Sequence, residues 1–158
     1  PWLAAAAALL AIGALIALRG PPPESGVRTK GGPEPLVVHV RAGDAWVPAD
    51  RPIAAGDELR WGVRLAQGGF PLLVLREAGA DVTVLYPRPD AAAAPLPPDT
   101  PVLLDGGAQV DAVGPRDEFL LWSRAEPWTI RQLDAIRDGR LPTEQPDSTV
   151  PLQGATTP

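Results

Sequence analysis

The sequence contains no cysteine, no methionine and no asparagine, and it has one histidine (His39), one lysine (Lys30) and one tyrosine (Tyr86). Without cysteine there is no disulfide framework, no thiol nucleophile and no thiolate metal site, and a single imidazole excludes a His-cluster zinc site. Cations are also scarce: Asp and Glu number 19 against 14 Lys and Arg, a net charge of -5. Duplex affinity comes largely from neutralising phosphates, so this balance argues against nucleic acid as a partner. What remains is a binding, sensing or structural module.

The excesses are equally uneven. There are 25 Ala, 21 Pro and 16 Gly, together 62 of 158 residues, and 13 Arg for the one Lys. Such usage is typical of a GC-rich coding sequence, so part of the Ala and Pro content reflects codons and not structural demand. The chain starts at Pro1 and is apolar from Trp2 onward. We therefore expect a native N-terminal portion upstream of it.

The chain divides into an anchor, a linker, a domain and a tail. Residues 2–18 (WLAAAAALLAIGALIAL) carry no charge, and as a helix they would span about 25 Å, enough for a thin bilayer. A signal-peptide core is shorter and is followed by a small-residue cleavage site, whereas this run ends directly in Arg19. A buried soluble helix would need more surrounding protein than the remaining chain supplies. Residues 1–18 are thus read as a single transmembrane helix. Residues 19–35 (RGPPPESGVRTKGGPEP) hold five Pro and four Gly and read as a semi-extended spacer. Residues 141–158 (LPTEQPDSTVPLQGATTP), with four Pro and few large apolar side chains, read as a disordered tail.

Residues 36–140 read as β until near their end. In ELRWGVRL, Leu59, Trp61, Val63 and Leu65 share one face and Glu58, Arg60 and Arg64 the other, a period of two that marks a half-buried strand with Trp61 in the core. Leu36 to Val40 and Phe70 to Leu75 are continuously apolar, as in strands covered on both faces. Asp81 to Tyr86 would close a hairpin with the latter across a short Gly-containing loop. Ala45 to Val47, Val102 to Leu104, Ala108 to Val110 and Glu118 to Ser123 complete the set. Regularly spaced short strands of this kind predict a small antiparallel β-sandwich of about seven strands. One helix follows, with Thr129 as N-cap, Ile130, Leu133, Ala135 and Ile136 as its apolar stripe, and Gly139 at its end.

Little in the chain carries chemistry. His39 sits between two valines and is read as a strand histidine facing solvent or a polar partner, and the only serines are Ser25, Ser123 and Ser148. No Ser-His-Asp arrangement is expected from these. Asp81, Asp99, Asp105, Asp111 and Asp117 all lie within three residues of Gly, Pro or Thr, where Asp caps turns, and no calcium-loop spacing is present. No catalytic residue, metal ligand or cofactor site is predicted. Trp46, Trp122 and Trp128 are candidate partner contacts, because amphipathic Trp on a β surface is a common anchor, with core or edge packing as the alternative.

The order GDELRWGVRL, GGFPLLVLREAGADVTVLYP, PLPPDTPVLL and VGPRDEFLLWS resembles a bacterial domain-of-unknown-function family found C-terminal to kinases, caspase-like peptidases and other signalling domains. The resemblance covers about residues 34–125. Where the family carries a Gly-containing turn, this chain has Pro115-Arg116-Asp117-Glu118. The resemblance implies a small β-sandwich without known activity. It also implies an arrangement common in GC-rich bacteria: a cytoplasmic anti-sigma domain, one membrane helix, a Pro-rich linker and such a sandwich.

The function expected is a non-catalytic extracytoplasmic sensor or interaction domain of a single-pass membrane regulator, with an anti-sigma factor as the specific form. Its partners would be the bilayer through residues 2–18, an envelope protein or ligand, and a sigma factor through upstream sequence. The alternative is a membrane-tethered structural or adhesive module. Arg19, Arg28 and Lys30 alone would favour a cytoplasmic domain. The length and composition of the spacer and the family-like arrangement favour an inner-membrane protein with its C-terminal domain periplasmic, and an Arg-rich stretch before Pro1.

Overall fold

Burial in the computed structural model alternates from one side chain to the next along residues 36–40 and 58–63. The structure describes residues 34–79, 81–89, 93–114 and 116–152. The transmembrane helix expected over residues 1–18 and nearly all of the linker lie outside the described residues, and so does the end of the tail. Among the described residues, no helix is long and apolar enough to cross a membrane.

The chain is mainly β, with two antiparallel sheets and one short helix. The strands are β1 (Leu36–Ala42), β2 (Ala45–Pro48), β3 (Glu58–Val63), β4 (Phe70–Arg76), β5 (Val82–Tyr86), β6 (Val102–Leu103), β7 (Ala108–Gln109), β8 (Glu118–Arg124) and β9 (Ser148–Pro151). The helix α1 (Ile130–Arg137) lies between β8 and β9. The first sheet has the order β2-β1-β3-β6, with β7 also pairing β3; the second has the order β5-β4-β8-β9. Eight of these strands fall on the segments that periodicity marks.

β1 departs from expectation. Only Leu36, Val38 and Val40 are buried while Val37 and His39 are half-buried, so the strand is covered on one face. β4 and β8 are the strands covered on both. Leu73, Phe119 and Leu121 face the first sheet and join Leu59, Trp61 and Val63 in the inter-sheet core. Leu72, Val74, Leu120 and Trp122 point the other way and pack on Leu133 and Ile136 of α1. Each such Leu or Val removed from water contributes about 1.5–3 kcal/mol, and the eight-residue helix, too short to be stable alone, is held by this second cluster.

Two expectations about the C-terminal part need correction. The region read as a disordered tail includes β9, which pairs Ser148 with Leu121 and Pro151 with Glu118. The Asp147 amide donates to the Leu121 carbonyl at 2.8 Å and the Leu152 amide to the Asp117 carbonyl at 2.7 Å. Leu152 is then buried in the inter-sheet core, so the folded part extends beyond residue 140. Ile130, assigned to the apolar stripe of the helix, is 79% exposed. Its first-turn position directs it past the sheet, and Leu133 and Ile136 make the contact instead.

The turn between β2 and β3 carries a charge-sensitive clasp. Arg51 donates to both carboxylate oxygens of Asp57 at 2.8 Å, and the Ala54 amide donates to Oδ2 at 2.8 Å. The Arg51 hydrogen bonds, then the Ala54 amide, hold the Asp57 carboxyl below its usual range. A carboxyl whose pKa is lower folded than unfolded adds stability that is present above the unfolded value, about 3.9, and lost as pH falls through the folded one. Asp57→Asn should therefore flatten the fall in melting temperature below about pH 4. An unchanged acid limb in that variant would remove Asp57 from the account.

Candidate functional site around Trp122 and Trp128

The last residues of β8 and the start of α1 build the most elaborate side-chain network among the described residues. In β8, alternation sends Trp122 to the helix side, where it is 5% exposed. Its Nε1 donates to the Glu144 carbonyl at 3.0 Å, which ties the segment after α1 back to the sheet. Trp128, just ahead of the helix, donates from Nε1 to the Phe70 carbonyl at 3.1 Å. Both indole N–H groups are thus spent on the backbone, and the rings are fixed in orientation.

Arg124 joins the pieces. Its guanidinium lies 4.1 Å from the centroid of the Trp128 ring, a stacking arrangement worth about 0.5–1 kcal/mol where partly exposed. Its Nε donates to the Glu126 carbonyl at 2.8 Å, and its terminal nitrogen donates to the Pro127 carbonyl and, at 2.9 Å, to Gln132 Oε1. The same Oε1 accepts from the Thr129 amide at 3.0 Å, while Thr129 Oγ1 accepts from the Gln132 amide at 3.3 Å. This is a capping box, which satisfies two of the donors left free at a helix start. Trp122, Arg124, Trp128, Ala135, Arg140 and Thr143 line the resulting cleft of about 310 Å3.

The structure brings Trp122 and Trp128 together and leaves Trp46 apart. Trp46 sits half-buried on the outer face of the first sheet, opposite Arg41 in register, with the Arg60 guanidinium 4.8 Å from its ring centroid. Trp122 is too deeply packed to be an open contact by itself, so Trp128, Arg124 and Ala135 supply most of what a partner would meet. Spacing alone signals the Thr129–Gln132 capping box, but not the stacking of Arg124 on Trp128.

His39 is half-buried on the outer face of the first sheet. Its ring packs across Gly62, close enough that a Cβ there would lie 2.7 Å from His39 Cε1. Its Nδ1 is buried without a hydrogen-bond partner. Ser123 donates to Asp147 Oδ2 at 2.5 Å on the second sheet, remote from His39 on the outer face of the first. Asp99 accepts from Arg64 at 3.0 Å. Asp117, 6% exposed, accepts from the Ala78 and Gly114 amides at 3.0 and 2.5 Å, pinning two loops together. Among the described residues, no three His, Cys, Asp or Glu side chains gather as metal ligands. No family model matches the chain, and no curated protein or solved structure matches it.

Proposed function

We propose that residues 36–152 form the non-catalytic recognition domain of a single-pass membrane regulator. A membrane helix over residues 1–18 precedes it, and the domain stands on the periplasmic side of the inner membrane. The cleft between Trp122, Trp128 and α1 is its contact for an envelope protein. The observation that carries this reading is the preorganisation of the cleft: the half-buried Trp128 ring, its N–H bonded inward and its face stacked by Arg124, presents rigid apolar surface at little cost in ordering. The anti-sigma arrangement is supported by the family resemblance and by the apolar run of residues 2–18, and it makes a sigma factor the intracellular partner of upstream sequence.

Ala135 gives the sharpest test, because it lines the cleft without holding any of it together. Ala135→Arg should fill the cleft while leaving the melting temperature within about 3 °C of wild type. In the intact regulator it should abolish the transcriptional response to the same degree as deletion of residues 36–152. A normal response from Ala135→Arg would remove the cleft from the mechanism. If the deletion itself changes nothing, a structural or adhesive module takes the regulator's place. Independently, a periplasm-active reporter fused after Pro158 should be active, and activity of a cytoplasm-active reporter alone would reverse the topology.

A further inference from the structure

Arg124 stands in the wall of the Trp122–Trp128 cleft without a carboxylate. Arg41, Arg51, Arg64 and Arg76 each hold one. The half-buried Arg124 is bound instead through neutral acceptors, the Glu126 and Pro127 carbonyls and Gln132 Oε1. Its charge is therefore uncompensated by direct pairing in a chain whose net charge is -5.

The same bonds leave part of the guanidinium over. A guanidinium carries five N–H donors in one plane; Nε gives its one and Nη2 its two, while the Trp128 ring supports one face. The two N–H groups of Nη1 remain. Nη1 has no partner among the described residues, yet, unlike His39 Nδ1 and Trp61 Nε1, it is not buried. An arginine locked in this way has little rotamer freedom left to lose when it meets an anion, and the bond it forms there is charge-assisted.

The rest of the cleft sets what the anion is attached to. Trp122, Trp128, Ala135 and Ile136 make its lining apolar, and its volume is about 310 Å3. At ~30 Å3 per water-sized group, that is room for about ten non-hydrogen atoms, which is one apolar side chain with a carboxylate beside it and no run of chain beyond. Glu144 is the only acidic residue of the lining and is opposed there by Arg140, whose own pairing with Asp138 lies at the open surface and is weakly held. We infer that the cleft recognises the carboxyl-terminal residue of an envelope protein, an apolar side chain filling the cleft while its terminal carboxylate takes the Nη1 donors of Arg124. This rests on the reading of the cleft as the partner contact and adds the chemistry of the partner.

The test follows the fluorescence anisotropy of labelled glycine–serine peptides titrated with the full chain. The peptides end in Phe, Leu or Val, each as the free acid and as the terminal amide, and one further amidated peptide carries Glu beside an internal Phe. The best-fitting free acid should bind at least about tenfold more tightly than its amide, as a hydrogen bond between charged partners requires. Arg124→Gln should bring the acid down to the affinity of the amide and leave the amide unchanged. Arg131→Gln, which removes an exposed cation of α1 outside the cleft lining, should change neither by more than about twofold. Ala135→Phe, which fills the cleft without adding charge, should abolish both. Acid and amide binding alike, and both lost in Ala135→Phe, would overturn the inference while leaving the cleft a contact for a neutral apolar group. An amidated Glu peptide that matched the free acid would overturn the terminus as the source of the carboxylate. Failure of every free acid to bind would overturn the inference as well, and the response of Ala135→Arg in the intact regulator would still decide the cleft on its own.

Discussion

Gly69→Ala should destabilise the domain by about 3–5 kcal/mol, more than most single methyl additions can. Gly69 has φ +111° after Gly68 at φ +68°, a conformation that costs an L side chain about 1–3 kcal/mol. The added Cβ would also lie 2.4 Å from the Arg124 carbonyl oxygen. That oxygen cannot simply retreat. Arg124 pairs with Phe70 at the end of β8, and Gly69 itself exchanges hydrogen bonds of 2.9 and 2.7 Å with Leu96. Relief of the clash must therefore break the β4–β8 register or pull Arg124 off Trp128. Thermal unfolding should show a midpoint lowered by more than about 10 °C. A midpoint within about 3 °C of wild type would mean that the backbone at Gly69 is not as described.

Trp61→Ala should be comparable, at about 3–5 kcal/mol, because it empties the centre of the core between β3 and β8. The control is Trp46→Ala. Trp46 lies half-buried on the outer face of the first sheet under Arg60, so its loss should cost under about 1 kcal/mol. If the two variants melt alike, the inner and outer faces of the first sheet have been exchanged.

Why some of this was legible in the sequence follows from how each segment is buried. Leu59, Trp61 and Val63 alternate with Glu58, Arg60 and Gly62 because β3 has one face on the core, and that alternation is printed directly in the residue order. Phe70 to Leu75 announces burial on both sides, but it does not say that the second cover is a helix sixty residues later. The Thr129 cap is readable from local chemistry, whereas periodicity places Ile130 on the apolar face of α1 although the direction of the helix is set by contacts with β4 and β8. β9 is not legible in the sequence for a different reason. Ser148, Thr149 and Val150 lie between Pro146 and Pro151, and so short a segment is stable only because β8 offers it a partner. Proline is tolerated there since β9 is an edge strand, with no further neighbour demanding its missing N–H. The cleft was half legible: aromatic chemistry singled out Trp122 and Trp128, but the Phe70 carbonyl that fixes Trp128 arrives through strand pairing across 58 positions.

The position of β9 in the chain bears on how the protein is made. Synthesis and any export proceed from the N-terminus, so β4, β5, β8 and α1 all emerge before the strand that completes their sheet. Until Ser148–Pro151 arrives, the free margin of β8 displays a row of unpaired amides and carbonyls beside Leu120, Leu121 and Trp122. An open margin of that kind is a template for another copy of the same chain. Newly made molecules are most at risk of associating in this interval, and a nascent chain arrested before residue 148 should be more prone to intermolecular pairing than one released complete.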